Sequence, residues 1–298
     1  MKNFLRITLI MLITMKIFEG EVFAFDQYEI NRKKDILSIF IAYPDYISNI
    51  EKSESGDVFV VLKSGKKVLY DDKRNKSHEE KLINPDIQDM LEQIYPLQDI
   101  SKLSEVNFDP GRGRCYKILE EVYGSTRDKV EKNLTSSKGG QFNKENKAAE
   151  SLNKVLMEIN SASKNNSKIG GFVYPINGTY NYRTISGTGR LSPHAFGIAI
   201  DIKSHPHDYW KWNNRANGEK RMLSYPRELI EIFERNNFVW GGKWGHFDIL
   251  HFEYRPEIII KSKYFSAPME ENEKWYECYP NHNEIKDVIN KIDMILGE

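Results

Sequence analysis

The sequence predicts an α+β fold in which an antiparallel sheet is flanked by helices. Three observations lead there. Apolar residues recur at helical spacing in segments such as Ala148–Ala162 and Glu284–Leu296. From Phe172 to Tyr254 the texture changes to short β-prone runs between glycine turns, interrupted by a helical stretch at Pro226–Asn236. The two kinds of segment are mixed without a regular strand–helix alternation, which argues against a doubly wound parallel sheet.

Taken in order, the chain begins with Met1-Lys2 and Arg6, an apolar run from Ile7 to Met15, and the small-residue exit Val22-Phe23-Ala24. This pattern reads as a signal peptide over residues 1–24, with a mature protein starting near Phe25 and exported to a periplasmic or extracellular, wall-facing location. The apolar run is too short to span a bilayer and is broken by Lys16, Glu19 and Glu21, so no permanent membrane anchor is expected.

Residues 25–135 read as a smaller N-terminal accessory region. Val58–Leu69 alternates apolar and polar residues on both sides of Lys63-Ser64-Gly65 and predicts a β-hairpin. Asn84-Pro85-Asp86 predicts the start of a helix through Tyr95, with Asn84 as its cap. Phe108-Asp109-Pro110-Gly111-Arg112-Gly113 is a turn-rich joint, Lys117–Tyr123 a short helix, and Ser136–Asn146 a polar loop or linker. A second region spans residues 146–298, where Leu152, Val155, Leu156 and Ile159 form an apolar stripe that belongs to the core.

Lysine plus arginine equals aspartate plus glutamate, 43 of each, so nothing in the charge balance argues for a nucleic-acid or membrane-surface partner, and no nucleic-acid partner is expected. Cys115 and Cys278 are the only cysteines, and neither lies where a lipid-modified residue would follow the leader. They form either one long-loop bridge or two buried thiols; an oxidising compartment favours the bridge.

Two segments concentrate side chains able to hold a metal: Ser192-Pro193-His194-Ala195-Phe196-Gly197-Ile198-Ala199-Ile200-Asp201 and Trp244-Gly245-His246-Phe247-Asp248-Ile249-Leu250-His251-Phe252-Glu253. Catalytic zinc takes three imidazole or carboxylate ligands and leaves a fourth position to water. In a strand, Ile198, Ile200 and Ile202 share one face and Ala199 with Asp201 the other, so Asp201 points away from the core. A lone aspartate buried there requires a cation, a hydrogen-bond network or water.

These segments match the SxHxxGxAxD and acidic-x-x-H patterns, and the chain resembles the D-alanyl-D-alanine carboxypeptidase and L-alanyl-D-glutamate endopeptidase family of zinc peptidases, whose fold is shared with the hedgehog signalling domain. Gly178-Thr179-Tyr180-Asn181-Tyr182-Arg183, Gly187-Thr188-Gly189-Arg190-Leu191, Trp240-Gly241-Gly242-Lys243-Trp244 and His251–Glu257 extend the likeness to one bacterial branch. Asp109-Pro110-Gly111-Arg112 is similar to that branch's leader region.

The resemblance implies a zinc peptidase domain over residues 146–298 that acts on peptidoglycan peptides. It implies one zinc ion per chain held by His194, Asp201 and His251, with Asp248 as the catalytic carboxylate and Arg183 binding a substrate carboxylate or the tetrahedral intermediate. Asp248 stands where the family often has glutamate. It lies three residues before His251, so a turn or bulge must intervene if both address one ion. Ser192, His246, Arg190 and Trp244 are expected around the ligands or against substrate. Glu253 is an alternative base, and His205-Pro206-His207 reads as a loop. The rival function is a non-catalytic zinc-containing binding domain of the same fold.

Overall fold

In the computed structural model, which describes residues 27–267 and 273–297, the first element is a helix over residues 27–42, α1. The leader proposed for residues 1–24 lies outside the described residues. Ile36, Leu37, Ile39 and Phe40 put one face of α1 into the core.

Three antiparallel strands follow, β1 (Ile47–Lys52), β2 (Val58–Leu62) and β3 (Lys67–Leu69), in the order β1-β2-β3. The β2–β3 hairpin turns at Gly65, whose φ of +83° suits a residue without a Cβ. Strand β1 carries only Ile47 and Ile50 as apolar residues, too sparse a pattern to announce a strand; both are buried.

Next come α2 (His78–Ile83) and α3 (Ile87–Leu91). The helix expected from Asn84 to Tyr95 is thus shorter and starts later. Asp86, not Asn84, caps it, in a reciprocal box with Asp89: each side chain accepts the other's backbone N–H, at 2.8 and 3.2 Å. Tyr95 lies beyond the helix, buried, where its hydroxyl donates to Glu234 at 2.6 Å.

After α4 (Tyr116–Tyr123) and α5 (Arg127–Lys132), the segment read as a loop or linker is a β-hairpin, β4 (Leu134–Ser137) with β5 (Gly140–Asn143). Asn143 ties the hairpin into the fold. The Asn143 amide is fully buried and donates to the carbonyls of Tyr123 and Phe196, both at 3.0 Å.

The remaining elements are α6 (Ala148–Asn165), α7 (Ser167–Val173), β6 (Ala199–Asp201), α8 (Arg215–Leu223), α9 (Arg227–Arg235), β7 (Phe238–Trp240), β8 (His251–Tyr254), α10 (Pro256–Tyr264) and α11 (His282–Leu296). The stripe Leu152, Val155, Leu156 and Ile159 of α6 is fully buried. A three-stranded antiparallel sheet runs in the order β6-β8-β7 and opposes Ala199 to Glu253, Ile200 to Phe252 and Asp201 to His251. The fold is therefore α+β, with a small antiparallel sheet among helices.

Ile198, Ile200 and Ile202 face the core, and the Phe252 ring stacks on Phe233 of α9 with centroids 3.7 Å apart. One apolar cluster runs from α1 to α11. Polar contacts close the two ends of the chain together: Lys33 pairs with Asp293 at 2.8 Å, Asp35 with Lys261 at 2.5 Å, and Tyr43 donates to Glu257 at 2.7 Å.

The disulfide favoured from the sequence is absent, since Cys115 and Cys278 are both free thiols. Cys115 is buried at the N-cap of α4 and Cys278 is on the surface, so the two are not neighbours across a packed contact.

Candidate active site

His194 sits in a short 3-10 turn, Pro193–Phe196, that Ser192 caps by accepting the His194 N–H at 3.3 Å. The turn ends at Gly197, in the left-handed region at φ +68°, where a Cβ would meet Leu134 Cδ2 at 2.8 Å. The His194 Nδ1 lies 2.5 Å from the carbonyl of Thr179. A carbonyl only accepts, so Nδ1 donates to it and Nε2 is the ring nitrogen turned toward Asp201.

That Nε2 is 3.2 Å from Asp201 Oδ1, and His251 Nδ1 reaches the same oxygen at 2.9 Å. Strand pairing explains the convergence: Asp201 on β6 lies directly opposite His251 on β8. Contact with the two imidazoles overcomes the effect of burial and holds the Asp201 carboxyl well below the usual range. Burial pulls His251 down, but the carboxylates of Asp201 and Glu253 outweigh it and push it up to about 10. A metal ion bound here would replace the bridging protons and face one carboxylate oxygen and two imidazole nitrogens. This His–Asp–His donor set suits zinc and leaves a coordination position for water.

The turn demanded between Asp248 and His251 is present, because the His251 N–H donates to the Asp248 carbonyl at 3.1 Å. Asp248 N–H in turn donates to the Gly241 carbonyl at 3.0 Å. A Cβ at Gly241 would run into the Asp248 carbonyl oxygen, so only glycine allows the Trp240–Trp244 turn to pack this closely. The Asp248 carboxylate lines the cleft and has no hydrogen-bond partner among the described residues. Burial pushes it up to about 6, against the attraction of His251 and with the repulsion of Asp201.

The cleft has a volume of about 520 Å³, and His194, Asp201, Asp248 and His251 all open into it. Arg183 borders it too, exposed and without an ion pair among the described residues. Of the surrounding residues expected from the sequence, Ser192, His246 and Trp244 also line it. Arg190 does not; it is half-buried near Tyr116, with Nε lacking a partner. Glu253, the alternative base, is fully buried and ion-paired to Arg114, which removes it from that role. His205 and His207 lie in a loop, as expected.

Other residues at the site carried little signal in the sequence. Arg112 and Tyr209 line the cleft, and Tyr209 forms an isolated antiparallel bridge with Asp248. A second cluster of two histidines and one aspartate adjoins the first. Asp109 Oδ2 receives His246 Nδ1 at 2.6 Å, His78 Nε2 at 2.9 Å and Arg112 Nη1 at 3.1 Å, while Oδ1 accepts the His246 N–H at 2.9 Å. Despite burial, Arg112 and His246 hold the Asp109 carboxyl below its ordinary value. The turn-rich Phe108–Gly113 joint was the available hint of this cluster.

Residues 186–254 match a family model described as D-alanyl-D-alanine carboxypeptidase. No curated protein and no solved structure matches the chain. The matched segment contains His194, Asp201, Asp248 and His251, the residues that the β6–β8 pairing and the turn before β8 gather in one cleft, and over this segment the chain is similar to the D-alanyl-D-alanine carboxypeptidase family.

Proposed function

We propose that the chain is an exported zinc-dependent peptidase that hydrolyses amide bonds in peptidoglycan stem peptides, of D-Ala-D-Ala carboxypeptidase or L-Ala-D-Glu endopeptidase type. The carrying observation is the convergence of His194 Nε2 and His251 Nδ1 on Asp201 in the cleft that also holds an uncommitted Asp248 carboxylate. A non-catalytic binding domain would have no use for that carboxylate. Among the described residues no helix is long and apolar enough to cross a membrane.

His194, Asp201 and His251 would hold one zinc ion. When bound, zinc supplies Lewis-acid chemistry: it lowers the pKa of a coordinated water to about 7 and polarises the scissile carbonyl. Asp248 takes the proton of the attacking water and passes it to the leaving amine. Arg183, whose guanidinium is free to form a bidentate pair, binds a substrate carboxylate or the tetrahedral intermediate. The partial enclosure of Asp248 keeps its basicity above that of an ordinary aspartate, which favours proton transfer near neutral pH.

Digestion of purified wall peptides, with products identified by mass spectrometry, tests the reading. Release of terminal D-alanine identifies a carboxypeptidase, and cleavage after L-alanine an endopeptidase. Intact peptides after incubation with the zinc-loaded protein would refute both.

A further inference from the structure

A fully buried charge network not used by the proposed chemistry lies directly behind His251. Glu253 is on the central strand β8, fully buried, two residues from His251 and therefore on the same strand side. Arg114 grips its carboxylate with a fork, Nε to Oε1 at 2.8 Å and Nη2 to Oε2 at 2.6 Å. Arg255 adds a contact from Nη1 to Oε1 at 3.3 Å. The oxygen Oε2 stands 3.7 Å from His251 Nε2, the ring nitrogen opposite the one that meets Asp201.

A carboxylate held by two guanidinium groups acts only as an acceptor. A separation of 3.7 Å is beyond hydrogen-bond length, so the interaction across it is an electrostatic preference that a shift of the ring would turn into a bond. That preference puts a proton on Nε2. In a neutral imidazole it leaves Nδ1 bare, the atom needed for coordination. Carboxylates placed behind ligating histidines fix ring tautomer and orientation in this way.

We propose that Glu253, locked by Arg114, is a positioning residue that holds His251 with Nε2 protonated and Nδ1 aimed at the metal ion. The proposal rests on the zinc reading above. Arg114 lies outside residues 186–254 and directly follows the Phe108–Gly113 joint, so this stretch becomes part of the frame of the metal centre rather than of an accessory region.

The test is zinc affinity, measured on the full chain by competition with a chelator, with folding followed by circular dichroism. Glu253→Gln is expected to weaken zinc binding by about 10–100-fold. Arg114→Gln should weaken it too, and the double variant should be no weaker than Glu253→Gln alone, because Arg114 acts through Glu253. Nitrogen-15 NMR of the zinc-loaded protein should show a His251 Nε2–H that is protected from solvent exchange in the parent and exchanges faster in Glu253→Gln. Glu234→Gln, which breaks a buried pair with Lys243 elsewhere, should leave zinc affinity unchanged and so exclude general loosening.

If Glu253→Gln does not fold, Arg114→Lys, which keeps the charge and loses the fork, decides in its place by a several-fold loss. A folded Glu253→Gln, or failing that Arg114→Lys, with the zinc affinity of the parent overturns the proposal. A parent protein that binds no zinc overturns the functional reading itself, and the proposal with it.

Discussion

Two clusters of identical composition stand at either end of the short segment from His246 to His251, and they differ in what already neutralises the carboxylate. Around Asp201 the two partners are imidazoles, at 3.2 and 2.9 Å, and no arginine or lysine is ion-paired to it among the described residues. Around Asp109 a guanidinium sits 3.1 Å from the oxygen that both imidazoles share. A divalent cation placed there would be repelled by Arg112 at contact range. The rings differ as well: His78 and His246 lie stacked at 15°, whereas His194 and His251 meet edge-on at 62°. On the proposed function, the same residues would make a metal centre in one place and a hydrogen-bonded knot in the other, and the presence of a resident cation decides which.

The largest effect expected from this comparison is on metal content. Alanine at His194, Asp201 or His251 should remove zinc and activity together, while His78→Ala should keep about one zinc per chain by elemental analysis. A second equivalent of zinc in the parent protein that disappears in His78→Ala would make both clusters metal sites. Asp248→Asn separates chemistry from binding. It should retain zinc, with turnover falling about 10²–10⁴-fold and KM little changed, because the amide keeps the shape but cannot accept the water proton.

Asp109→Asn should act on stability rather than on metal. It leaves Arg112 facing a neutral amide in a site with no solvent access to the carboxylate. Because Arg112 itself reaches the open cleft, the loss should be smaller than for a fully buried pair, about 1–3 kcal/mol, readable by denaturant unfolding with zinc stoichiometry unchanged. The smallest effect is a displaced acid limb. Asp248 is pushed up to about 6, so it is protonated and inactive as a base below that value. A bound cation favours the ionised form, so kcat/KM should fall as pH drops through about 6 or lower. An acid limb above 7 would assign the titration to another group.

What was legible in the sequence was local. His194 and Asp201 fall within one turn and one strand, Asp248 and His251 within one turn, and the isoleucine alternation announced β6 because its inward face is wholly apolar. The helices α6, α9 and α11 carried stripes long enough to read. The rest depended on partners remote in the chain. Nothing in Ser136–Asn146 signalled a hairpin, because its anchor is Asn143 bonded to carbonyls of other segments. Glu253 looked like a spare base until Arg114, 139 residues upstream, was found to occupy it. The helix after Asn84 was misplaced because Asp86 and Asp89 cap each other more fully than a lone asparagine can.

The joining of α1 to α10 and α11 has a consequence for the order in which the molecule is made. Tyr43 waits 214 residues for Glu257, and Lys33 waits 260 for Asp293. A chain emerging from its amino end has no acceptor for these groups until nearly all of it has been delivered, and closure over such separations is slow. Assembly is therefore a whole-chain, late event. A protease that meets the chain before α10 and α11 dock finds α1 without these partners, so the period before completion, rather than the finished state, is when the protein is most easily destroyed.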